Sequence, residues 1–150
     1  MYSRRLKYLR EEKELKQVEI SKLLKFKDNV YSQFEREETI IPIKHLNTLC
    51  NCFDCSLDYI FELTDTKKYK KMKKEINKEI SGERLRNIRK DFKIKQYKLA
   101  KLLNVDNSML SKYELGKYTI ATTYLYQICK TYNISADYLL GKIDTPKYLK

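Results

Sequence analysis

The chain has 150 residues, with 32 Lys and Arg against 20 Asp and Glu, so its net charge is +12. That excess suits a polyanionic partner, and no apolar run of 18 residues is present to cross a bilayer. Three Gly, two Pro and the lack of alternating apolar runs argue for helices and against a sheet protein.

The opening MYSRRLKYLREEKE lacks the apolar core of a secretory signal, so a cytoplasmic protein is expected, with Cys50, Cys52, Cys55 and Cys129 reduced. A single His, no glycine-rich phosphate loop and no paired carboxylates in an apolar setting leave no catalytic constellation. The expectation is a protein that is not an enzyme and needs no cofactor.

Sliding the sequence against itself by 79 residues aligns its two ends without a gap. Identical pairs include Arg5/Arg84, Arg10/Arg89, Gln17/Gln96, Ser32/Ser111, Glu35/Glu114, Cys50/Cys129, Asp58/Asp137, Tyr59/Tyr138 and Asp65/Asp144. The chain therefore reads as two copies of one domain, residues 1–65 and 82–150, with a joint at 66–81. In the first copy five short helices are expected near 3–13, 17–24, 28–36, 42–52 and 56–63. Pro42 suits a first helical turn, and Ser56 with Asp58 supplies a cap and a favourable negative charge to the last helix.

The joint, TKKYKKMKKEINKEIS, carries seven Lys against two Glu. Tyr69, Met72, Ile76 and Ile80 fall at intervals of three and four, which predicts an amphipathic helix over 67–80, about 21 Å long at 1.5 Å per residue. The plainer alternative is that its apolar side docks on a domain and the lysines are a solvated face.

In the second copy helices are expected near 82–92, 96–103, 107–115, 121–132 and 135–140. Leu99, Ala100, Leu102 and Leu103 recur at helical spacing up to Asn104, a residue that enters the left-handed region cheaply. Asp106 or Asn107 can cap the helix that follows. Leu110 and Tyr113 give that helix an apolar side, opposite Asn107, Ser108, Ser111 and Lys112, and Gly116 closes it.

The stretch QYKLAKLLNVDNSMLSKYELG resembles the helix-turn-helix of Cro and phage-repressor proteins, the Xre family. The resemblance runs from about Gly82 to Gly141 and takes in GERLRNIRKDFKIKQ, YELGK and ISADYLLG. It implies an all-α fold of two tandem five-helix domains, and sequence-specific binding of double-stranded DNA with the second helix of each motif in the major groove. On the second copy it places Asn107, Ser108, Ser111 and Lys112 towards the bases. Gln96 would grip a phosphate, with Lys95, Lys98, Lys117 and Tyr118 as backbone anchors. The matching residues of the first copy are Gln17, Asn29, Ser32 and Gln33. Arg10 with Glu35, and Arg89 with Glu114, look like the family's cross-core ion pair.

The first copy departs from the pattern. Lys25 stands where Asn104 eases the turn, and Glu37 and Glu38 replace Gly116 and Lys117 beside the expected phosphate track. Charge divides in the same sense: 11 basic against 12 acidic residues over 1–65, seven against two over 66–81, and 14 against six over 82–150. The second copy and the joint should therefore supply most of the phosphate affinity.

His45, Cys50, Cys52 and Cys55 offer zinc-type donors, but H-x4-C-x-C-x2-C is no familiar finger spacing and falls on a helix and its exit, so no metal site is expected. The resulting expectation is a tandem transcriptional regulator, a repressor. A homodimer would present four reading heads, and no segment is left over for a small-molecule effector. The alternative is an antitoxin-like co-regulator whose repressor fold, the first copy above all, pairs with a protein.

Overall fold

Residues 1–149 are described by the computed structural model; Lys150, the last residue of the expected second domain, lies outside them. The chain divides into two units, Met1–Lys70 and Lys71–Lys150. The first holds α1 (Ser3–Glu12), α2 (Gln17–Leu23), α3 (Val30–Glu35), α4 (Ile43–Cys52) and α5 (Leu57–Ile60). The second holds α6 (Lys78–Asp91), α7 (Gln96–Leu103), α8 (Asn107–Glu114), α9 (Thr122–Tyr132) and α10 (Ala136–Leu139). Extended pairing among the described residues is limited to an isolated antiparallel bridge between Ile134 and Tyr148. No helix among them is long and apolar enough to cross a membrane.

The helices form because their apolar residues repeat every three or four positions and share a core. In the first unit Leu6 and Leu9 of α1, Ile20 of α2, Tyr31 of α3 and Leu46 and Leu49 of α4 are buried. Leu85 and Ile88, Leu99 and Leu103, Leu110, and Leu125 and Ile128 do the same in the second. Each such side chain contributes about 1.5 to 3 kcal/mol of burial. Ser56 and Ser135 cap α5 and α10, accepting from the amides of Tyr59 and Tyr138 at 3.0 Å. One arginine per unit then ties the first helix to the last. Arg5 donates to the carbonyls of Tyr59 and Thr64, pairs with Asp65, and lies 4.2 Å above the Tyr59 ring. Arg84 repeats this with Tyr138, Ile143 and Asp144, at 4.1 Å from the Tyr138 ring.

The expected helix over 67–80 does not form; α6 begins only at Lys78, capped by the Asn77 side chain at 2.9 Å from the Ile80 amide. Upstream the chain has no regular secondary structure and bends at 70–71 and 74–75, and its two parts dock on different units. In the first unit the Lys67 carbonyl accepts from the Ser56 amide at 2.6 Å, and the Tyr69 hydroxyl donates to Asp58 at 2.8 Å. In the second the amides of Lys73 and Asn77 donate to the carbonyls of Lys142 and Leu140. Six lysines at near-helical spacing would repel along a helix face, and the irregular chain gives the Lys73 and Asn77 amides carbonyl partners instead. Tyr69, Met72 and Ile76 are half-buried, so the apolar spacing was real but marks docking.

α6 also starts four residues before the expected position, and a Cβ on Gly116, just past α8, would lie 2.9 Å from the Glu79 Cα in that added turn. A Cβ on Gly82 would lie 2.5 Å from the Tyr113 carbonyl oxygen, so the two backbones touch where α8 ends. In the first unit Ser3 fills the same register and its hydroxyl donates to the Glu35 carbonyl at 2.5 Å.

Candidate nucleic-acid interface

The α7–turn–α8 segment folds around a one-residue reversal. Asn104 takes φ +57°, and the amides of Asn104 and Val105 donate back to Lys101 and Ala100. Asp106 occupies the position before α8, where its side chain makes no cap bond. Gly116 ends the motif at φ +74°.

Buried Leu110, Tyr113 and Glu114 fix which way α8 faces. Asn107, Ser108 and Lys112 are exposed, Ser111 is half-buried, and the Lys112 ammonium lies 5.9 Å from the Tyr118 ring centre. Lys95, Lys98, Lys117 and Tyr118 are exposed around them. Beneath this face Arg89 forks onto Glu114 at 2.7 and 3.0 Å and donates to the Ile94 carbonyl at 2.9 Å. Gln96, at the start of α7, donates its Nε2 to the same carboxylate at 3.2 Å. Helices α6, α7 and α8 are thus pinned through one carboxylate, which orients the exposed row above it.

The first unit repeats the network. Arg10 forks onto Glu35 at 2.8 and 3.0 Å, and Gln17 donates at 2.7 Å. Burial opposes the Glu35 charge, but the bonds from Arg10 and Gln17 outweigh it and hold the carboxyl below its ordinary value. Burial also pushes the Tyr31 hydroxyl far upward, reinforced by the Glu35 charge, so it stays a phenol.

The reading row differs between units. α3 begins at Val30, two residues later than expected, because 28–29 form a turn in which Asn29 has φ −96° and ψ 0°. Asn29 is exposed at the cap position, while Ser32 and Gln33 are half-buried and the Ser32 hydroxyl is turned onto the Asn29 carbonyl at 2.9 Å. Ser21, buried on α2, accepts from the Tyr31 amide at 2.9 Å, a bracing contact that the sequence did not point to.

Glu37 and Glu38 are not bare charges on a phosphate track. Glu37 accepts from the backbone amides of Tyr2 and Ser3 at 2.8 and 3.0 Å and pairs with the Met1 ammonium at 2.9 Å. Burial works against its ionisation, but these donors prevail and keep its carboxyl below the ordinary value. Glu38 holds the Arg36 guanidinium at 2.7 Å.

His45 packs edge-on against Phe26 with ring centres 4.7 Å apart, Cys50 and Cys55 are buried, and Cys52 is exposed. Among the described residues no group of three or more His, Cys, Asp or Glu is arranged to hold a metal ion.

Two five-helix units, each bracing a helix-turn-helix with an Arg–Glu–Gln network, define a tandem helix-turn-helix protein. Comparison with known families agrees: one described as "Helix-turn-helix domain" matches residues 82–145, and one described as "Helix-turn-helix" matches residues 6–60. The chain belongs to the helix-turn-helix family of Xre type, with two domains in tandem. It is similar to the HTH-type transcriptional regulator ImmR of Bacillus subtilis (strain 168), with 38% identity over 66 residues. That match takes in 44% of this chain and 52% of ImmR, so it spans about half of that regulator. No solved structure matches the chain significantly.

Proposed function

We propose that the chain binds double-stranded DNA sequence-specifically and regulates transcription, as a repressor, with α8 laid in the major groove. The observation that carries this reading is the Arg89–Glu114–Gln96 network, which fixes α8 so that Asn107, Ser108 and Lys112 stand free along one side. Asn can recognise adenine through a paired donor and acceptor, and Lys can reach guanine O6 and N7, each worth about 1 to 3 kcal/mol of discrimination. Lys95, Lys98 and Lys117 would meet the backbone to either side.

The second unit is the stronger reader, because its α8 is longer than α3 and its basic residues are more numerous. The first unit adds a weaker head through Gln17, Asn29, Ser32 and Gln33. Joining two heads in one chain raises the effective concentration of the second once the first has landed. The alternative, a first unit that pairs with a protein, draws on the acidic balance of residues 1–65, of which Glu37 and Glu38 already have cationic or amide partners within the unit. A protein of this kind works inside the cytoplasm.

The test is a salt series on random duplex DNA. A phosphate-binding protein loses affinity steeply as salt rises. Flat, negligible binding at low salt would remove the proposal.

A further inference from the structure

We propose that the second unit carries a seat for one backbone phosphodiester headed by Arg86, and that the first unit lacks it. The inference rests on the duplex-binding reading and names a residue of that same surface.

A cleft of about 270 Å³ opens between α6, α7 and α8, lined by Arg86, Arg89, Gln96, Ser111, Glu114 and Leu115. Arg89 and Glu114 neutralise each other inside the cleft, and the Gln96 Nε2 donates to the same carboxylate. Arg86 is different: it is exposed and has no ion-pair partner among the described residues. Its guanidinium brings an uncompensated positive charge and a planar fork of N–H donors, which match two oxygens of a phosphate. Ser111, half-buried on α8, adds a hydroxyl at the same cleft.

The aligned residues of the first unit are engaged within the protein. Lys7, in the register of Arg86, lies 4.0 Å from Glu11, one helical turn on. Arg36, in the register of Leu115, is held by Glu38 at 2.7 Å, and the Ser32 hydroxyl is turned onto a backbone carbonyl. In the second unit the registers of Glu11 and Glu38 hold Lys90 and Lys117. Both acidic residues have been replaced by cations, so neither register offers Arg86 a carboxylate, and an anion from outside would meet an unpaired guanidinium. A phosphodiester suits it better than a base edge, because Arg86 projects from α6, the bracing helix, rather than from α8.

The experiment compares the full chain with Arg86→Gln and Arg86→Lys on random and selected duplexes over a salt series, with thermal melting as a check on folding. Losing one phosphate contact should lower the slope of log affinity against log salt by about 0.9 in Arg86→Gln. The loss should be equal on both duplexes, and Arg86→Lys should keep the slope. An unchanged slope in Arg86→Gln, with the parent chain still binding steeply, overturns this seat and leaves the duplex reading standing. A changed preference at one base pair with the slope unchanged would make Arg86 a base reader and also overturns it. The free-anion arm follows melting with millimolar inorganic phosphate. A phosphate-induced shift that Arg86→Gln abolishes, without any change in duplex slope, assigns the cleft to free anions and overturns the proposal. A parent chain that binds no duplex removes both readings.

Discussion

The two units close the same five turns with different residues. Left-handed backbone occurs at Glu14, Lys25, Glu37, Asp54 and Glu62 in the first unit, and at the aligned Lys93, Asn104, Gly116, Asn133 and Gly141 in the second. For most L-residues this conformation costs about 1 to 2 kcal/mol, and only Gly, and to a lesser degree Asn or Asp, reaches it cheaply. Four turns of the first unit carry that strain, against one, at Lys93, in the second. The fold is specified by packing and by the Arg–Glu network, strongly enough to hold charged residues in turns that suit glycine. What the second unit gains is rigid, low-strain support for α8. The first unit has converted one such position, Glu37, into a clamp on the start of α1.

The largest effect should come from breaking the shared network. Glu114→Ala leaves the Arg89 guanidinium without its partner and should cost about 3 kcal/mol, as should Glu35→Ala. Native-state hydrogen exchange on the full chain, which resolves each unit, should show each loss confined to its own unit. A loss shared equally by both would contradict their independence.

Next comes the contact that differs between them. Gly82→Ala puts a methyl against the Tyr113 carbonyl and should destabilise the second unit by about 2 kcal/mol. Ser3→Ala removes a single hydrogen bond in the same register and should cost about 1 kcal/mol. Equal effects would mean that the helices approach equally closely in both units.

A swap of turn residues sharpens the strain comparison. Lys25→Asn should stabilise the first unit by about 1 kcal/mol, and Asn104→Lys should weaken the second by a similar amount. Chemical denaturation with exchange as the readout checks both signs.

The smallest effects are in the pH dependence. Glu35 and Glu37 have folded-state pKa values below the unfolded 4.5. The stability they provide is complete above that value and is lost as the pH falls through their folded values. Burial, with the nearby Lys44 charge, also lowers His45 below 6.5, so the first unit should begin to weaken as the pH falls through about that value. Glu37→Gln should flatten the acid limb, and an unaltered limb would show that the clamp carries no charge-dependent stability.

Much of the fold was legible because helical spacing and the 79-residue repeat agree on it. The left-handed turn at Asn104, the closing glycine at 116 and the cap at Ser56 could be placed from residue type alone. The joint misled because Tyr69, Met72, Ile76 and Ile80 satisfy a helical spacing, while the carbonyls that capture its amides lie far off in sequence. Glu37 and Glu38 looked like repulsive charges for a related reason: residue type shows a charge but not its partner. Arg86 was overlooked because its significance is the lack of a partner, visible only once Lys7, Arg36 and Arg89 have been seen with theirs. The late start of α3 depends on one turn at 28–29 that no residue there dictates.

The most direct test of the account is selection from a random duplex pool, run with the full chain and with Lys112→Ala. A defined enriched site is expected for the parent chain and relaxed preference at one base pair for the variant. No enrichment by the parent, or an identical site for both, would contradict it.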